Sequence, residues 1–147
     1  MRWLGAAPAL AALAVTTATA EPLRPYAIEG DAIPRSLTGH PGDAQRGESL
    51  VADRRASLCL LCHQAPLPEP HAQGTLAPDL KGVGSRLSAG QLRLRIVDMP
   101  LLTPSTIMPA YYRLAEHARI PVQWQGRPIL TAQEIEDIVA FLVSLKE

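Results

Sequence analysis

The residue types best suited to chemistry stand together in Cys59-Leu60-Leu61-Cys62-His63, and Cys59 and Cys62 are the only cysteines of the chain. Three chemistries use such a pair. A structural zinc site needs two further ligands at suitable spacing. His71 or His117 could be recruited, but the sequence has no second Cys-x-x-Cys and no His-x-x-x-His. A thioredoxin-like redox pair needs a strand running into a helix, and the flanking residues show no strand of that kind. Covalent haem attachment needs two thiols at this spacing, one for each vinyl group, followed directly by a histidine as axial ligand of the iron. Only this last reading uses all three residues. It predicts one haem c, held by Cys59 and Cys62, with His63 on the iron.

The second axial position calls for another donor. Past the N-terminal segment the methionines are Met99 and Met108, and a proline follows each. A thioether opposite histidine stabilises ferrous iron and suits electron transfer. Met99 falls on the apolar face of a predicted helix, where a core side chain already accounts for it. Met108 falls off any helical period, in a loop braced by Pro104 and Pro109, and a rigid loop can hold sulfur against a metal. The spacing therefore points to Met108. His40, His71 and His117 are the remaining nitrogen donors, and none has a motif around it. Two supporting roles are also readable. The Pro78 carbonyl lies where it could accept the Nδ1 hydrogen of His63, and the guanidinium of Arg86 could pair with a haem propionate.

These residues need a frame, and 147 residues are enough for one domain. Residues 1–20 read as a secretory signal: Arg2 is the only charge, Leu4 to Val15 is an apolar run, and Ala18-Thr19-Ala20 fits a cleavage site. Export to the periplasm follows, with no later stretch apolar and long enough to span a bilayer. Lys and Arg number 14 and Asp and Glu number 14, a balance that argues against nucleic acid as a partner. Aromatic residues make up 4% of the chain, beside 14 prolines and 10 glycines. A loop-rich chain so poor in rings fills a core badly, and a flat apolar macrocycle is what would complete it.

Residues 21–42 read as an irregular leader and 43–147 as the domain proper. Asp43 is a candidate N-cap for a helix over Ala44–Asp53, in which Gly47 predicts the close approach of another helix. Proline and glycine over residues 64–84 predict loop with at most one short helical turn. Ser88 caps a segment over Ala89–Asp98 whose Leu92-Arg93-Leu94-Arg95-Ile96 alternates like a strand, while Leu92, Ile96 and Met99 fit a helix; the serine cap and the lack of strand partners favour the helix. Thr131-Ala132-Gln133-Glu134 is a capping box, with Glu134, Glu136 and Asp137 at the positive end of the helix dipole. Ile135, Ile138, Val139, Leu142 and Leu145 then form one apolar face. The fold class expected is all-α, built round one cofactor. Leu60 and Leu61, between the cysteines, predict an apolar surface at the haem edge covered by a partner, with Tyr111 and Tyr112 as the alternative place for that interface.

In this order the features resemble class I cytochromes c: a glycine-bearing helix, Cys-x-x-Cys-His, a proline loop, a Met-Pro loop and a C-terminal helix. More closely, the chain resembles the SoxX family, the monohaem subunits of the SoxAX cytochrome complexes of sulfur oxidation. The likeness rests on Ser36-Leu37-Thr38-Gly39 running into Pro41-Gly42-Asp43, and on Ala77-Pro78-Asp79-Leu80 with Gly82-Val83-Gly84-Ser85-Arg86. It continues in Ile107-Met108-Pro109-Ala110-Tyr111-Tyr112 and in the last helix. The resemblance implies a SoxA-like haem partner, and a SoxYZ-like carrier protein to whose cysteine the pair oxidatively joins thiosulfate. It also implies an electron-transfer rather than catalytic role for this subunit, with His63 and Met108 on the iron and a downstream electron acceptor. A free-standing cytochrome c shuttle is the competing function. A gas- or peroxide-binding haem is a third, against which Met108 speaks.

Overall fold

The structure is a computed structural model that describes residues 22–68, 72–114 and 121–147. Its helices are α1 (Ala44–Ala52), α2 (Val83–Arg86), α3 (Ala89–Leu102) and α4 (Ala132–Ser144), with single 3-10 turns at Cys59–Leu61 and Val122–Trp124. Among the described residues the only β pairing is an isolated bridge between Glu29 and Ala32. The expected signal at 1–20, His71 and His117 lie outside the described residues.

Each long helix begins where its polar cap stands. The Asp43 carboxylate accepts from the backbone N–H groups of Gln45 and Arg46, occupying donors that a helix start leaves without partners. Ser88 with Gln91, and Thr131 with Glu134, close full capping boxes on α3 and α4. The apolar stripe of α4 is buried as its period predicts, through Ile135, Ile138, Val139 and Leu142. Helix α1 crosses α4 at Gly47, where a Cβ would stand 2.0 Å from the Asp137 carbonyl oxygen. Only hydrogen fits, so the two backbones meet directly.

Glu136 and Asp137, which look from the sequence like dipole complements, are both buried. The Arg93 guanidinium donates to both carboxylate oxygens of Glu136, at 2.8 and 2.9 Å, and to the Ile33 carbonyl at 2.6 Å. Glu136 also accepts from the Leu37 amide. This explains the strand-like alternation around Arg93: a buried cation with satisfied partners occupies an interior helix position. Asp137 accepts from Arg46, from the Asp43 amide and from Gln133. Burial opposes ionisation of its carboxyl, but these donors outweigh it and hold the acid below the usual carboxylate range. Residues 22–42 are irregular, as expected, yet they add Ile33 and Leu37 to the core and reach α3 and α4 through these bonds.

Helix α3 does not run straight. Pro100 lacks the N–H that would donate to the Ile96 carbonyl, and Asp98 leaves helical geometry at φ −159° and ψ 72°. The carbonyls so released are taken up from outside the helix. Tyr111 N donates to Ile96 O and Tyr112 N donates to Val97 O, each at 3.2 Å. The broken helix thus anchors the far end of the loop that carries Met108.

Candidate cofactor site

Leu58 has φ +62°, a left-handed turn that costs a residue with a Cβ about 1 kcal/mol. The 3-10 turn of Cys59–Leu61 starts there, so the thiols and His63 come off one tight bend. His63 N donates to the Cys59 carbonyl at 2.9 Å, closing that bend.

A second stretch lies directly on the motif. Gly74 N donates to Leu60 O, Ala77 N to Cys62 O and Leu80 N to Gln64 O, each at 2.9 Å. The Gln73 amide exchanges two hydrogen bonds with the Ala65 backbone. Contact is so close that a Cβ on Gly74 would fall 2.1 Å from the Leu61 carbonyl oxygen. This ladder places the Pro78 carbonyl oxygen 2.7 Å from His63 Nδ1. An oxygen of this kind only accepts, so Nδ1 carries the hydrogen and Nε2 keeps its lone pair for a metal. Arg86 sits behind the same loop: Nη1 donates to Lys81 O at 2.7 Å and Nη2 to Asp79 O at 3.1 Å. It also faces Glu147 at 3.7 Å. Its observed contacts therefore brace the segment that presents the Pro78 carbonyl.

Both cysteines are free and partly buried. Burial pushes the Cys59 thiol up, the opposite of the lowered value a redox thiolate needs. The Cys59 thiol donates to the Ser57 carbonyl, and burial, with the nearby Cys59 and Cys62 sulfurs, pushes the Tyr111 hydroxyl up. Among the described residues no group of three His, Cys, Asp or Glu side chains stands close enough to hold a metal ion by itself. The donor set fits a covalently attached haem: two thiols on one turn and an imidazole already oriented through Nδ1.

Met108 is half-buried and packs against the core, with its amide donating to Thr106 Oγ1 at 3.1 Å. Met99 is half-buried just past the Asp98 kink. His40 is exposed, its backbone tied to Ser36 and Thr38.

Two expectations about surface are corrected. Leu60 is fully buried, at 0% exposure, while Leu61 stands out at 45%. The 3-10 turn points alternate side chains inward and outward, so the pair does not form one patch. Tyr111 and Tyr112 are each 4% exposed and form no interface. The apolar surface near the motif is Leu61 with Leu76, which is 70% exposed on the loop that pairs with Leu60 and Cys62.

Terminal helices crossing on a glycine, with a Cys-x-x-Cys-His turn and two loops laid over it, define a small cytochrome c-like fold. No protein-family model matches the chain, and no curated protein matches it. Among solved structures, the crystal structure of SoxXA from P. pantotrophus contains a chain 37% identical to this one, with a TM-score of 0.75. The match covers 83% of this chain and 95% of that one. The chain belongs to the SoxX-like cytochromes.

Proposed function

We propose that this chain is the electron-transfer subunit of a periplasmic SoxAX-type L-cysteine S-thiosulfotransferase, exported by the signal at residues 1–20 and paired with a SoxA-like haem subunit. The observation that carries the reading is the likeness to a SoxXA chain over most of both chains, joined to a Cys-x-x-Cys-His turn whose histidine is pre-oriented. Haem, when bound, supplies a one-electron couple. Cys59 and Cys62 would hold it through their sulfurs, and His63 Nε2 and the Met108 sulfur would ligate its iron. The Pro78 carbonyl keeps the imidazole in one tautomer and orientation, and Arg86 keeps that carbonyl in place. Both cysteines are consumed by attachment, so sulfur chemistry belongs to the partner, and this subunit takes the electrons on to an acceptor.

Among the described residues no helix is long and apolar enough to cross a membrane, which supports a cytochrome released into the periplasm. Leu61 and Leu76 offer apolar contact area beside the attachment turn for the partner. The decisive experiment is purification of the tagged chain from its native host, followed by a thiosulfate assay with a SoxYZ-like carrier. A haem-bearing partner and transfer of thiosulfate to the carrier cysteine are expected. A chain that elutes alone, carries haem and reduces an oxidase would establish the free-standing shuttle instead.

A further inference from the structure

The end of α3 holds a buried charge that none of the roles above uses. Asp98 is 3% exposed and stands at the break in the helix. One carboxylate oxygen, Oδ2, takes a hydrogen bond and ion pair from Arg113 Nη2. The other, Oδ1, is buried with no hydrogen-bond partner among the described residues. A buried carboxylate with a bare oxygen is a poor source of stability. Its position accounts for it better. Asp98 and Arg113 are the two ends of one loop, and Met108 lies within it. Beside the pair, Tyr111 N and Tyr112 N tie the same loop end to Ile96 O and Val97 O. The N-terminal leader closes over the cluster: the Tyr112 hydroxyl accepts from Arg24 N at 2.8 Å, and the Tyr26 and Tyr112 ring centroids are 6.5 Å apart. Burial and the Asp98 charge both push the Tyr26 hydroxyl up, against the opposing pull of Arg113, which places its ring in the field of the pair.

We propose that Asp98 and Arg113 are positioning residues for the Met108 thioether, a clasp that closes residues 99–112, the last turn of α3 and the loop after it, on the broken helix and holds the sulfur in place to ligate the iron. The inference rests on Met108 being the ligand opposite His63. Iron–thioether bonds are weak, and a loop clamped at its base loses little further freedom when one forms. Unclasped, the same loop must be ordered at the expense of that bond, and exogenous ligands then compete better for the iron.

The test uses the haem-loaded protein. Asp98→Asn keeps the shape and removes the charge. Arg113→Gln changes a side chain that is 55% exposed and keeps an amide donor for Asp98, while Asp98→Asn leaves only a solvent-exposed arginine behind, so the two variants break the pair by different routes. Both variants are expected to bind imidazole at the ferric iron about tenfold more tightly than the parent, and to weaken the long-wavelength band of methionine-ligated ferric haem. The helical circular dichroism should remain unchanged. The double variant should match either single one, because both break one interaction. Imidazole affinity within twofold of the parent in both single variants, with the band intact, overturns the clasp. A parent protein whose band survives Met108→Ala overturns the ligand assignment on which the clasp depends, and the two failures are told apart by that control.

Discussion

The α1–α4 crossing and the loop layer over the cysteines are both built on a glycine pressed against a carbonyl, yet they hold together differently. At the crossing, Gly47 meets the backbone of a regular helix flanked by buried apolar side chains and by the satisfied Arg93–Glu136 pair. In the layer, Gly74 meets the backbone of a single tight turn, and the binding is a row of amide-to-carbonyl bonds with Leu76 left outside. The first region derives its stability from burial that a small shift would ruin. The second is fixed by hydrogen bonds that are individually modest and that chiefly decide where His63, Pro78 and the thiols stand. Damage to the crossing should unfold the chain, whereas damage to the layer should leave it folded and change its cofactor chemistry.

The sharpest way to break this contrast is Arg93→Met, which leaves Glu136 charged, buried and short of its cation; a loss of about 4 kcal/mol is expected in urea unfolding. Gly47→Ala forces α1 from α4 and should cost about 3 kcal/mol in the same measurement. Gly74→Ala, chemically the same change, should cost only about 1–2 kcal/mol because a loop yields more easily than a helix. Its larger effect should be on the yield of covalently attached haem, read from haem-stained gels. Equal losses of stability from the two glycine variants would erase the distinction between frame and layer.

Asp137→Asn tests the electrostatic part of the frame, at about 1 kcal/mol near neutral pH. The native acid is held below its unfolded value, so its contribution is full above a pH of about 4 and is lost as the pH falls through the native value. The stability gap between parent and variant should therefore narrow on acidification below a pH of about 4, and a gap that does not narrow there contradicts the assignment. The smallest change belongs to Leu61→Ser, expected to move stability by less than about 0.5 kcal/mol because the side chain is half out in solvent. Its measurable consequence should be weaker association with the haem-bearing partner in a titration.

Much of this was readable beforehand where one residue type has one physical use. Asp43, Ser88 and Thr131 start helices because their side chains satisfy amides that nothing else reaches, and Cys59, Cys62 and His63 come off one tight turn as their spacing implies. The Pro78 carbonyl was a candidate, and it lies at hydrogen-bonding distance from His63. What stayed hidden depends on contacts far apart in sequence. Glu136 and Asp137 carry the same local signal whether they face solvent or a buried arginine, and only the fold brings Arg93 and Arg46 to them. Leu60 and Leu61 looked alike because adjacent leucines have no period, and the 3-10 turn separates them. The kink at Asp98 could be suspected from Pro100, but not which amides would take the released carbonyls.

The bond from Leu37 N to Glu136 joins residues 99 apart, and that from Asp43 N to Asp137 joins residues 94 apart. Contacts of such range form slowly, because much chain must be closed before they are rewarded. The frame therefore cannot settle until the final helix exists, and throughout synthesis the middle of the chain has nothing stable to fold upon. Cys59 and Cys62 sit in that middle. The topology keeps both thiols in open chain for the whole interval before the termini meet, an interval in which sulfurs that the finished fold partly covers are still accessible.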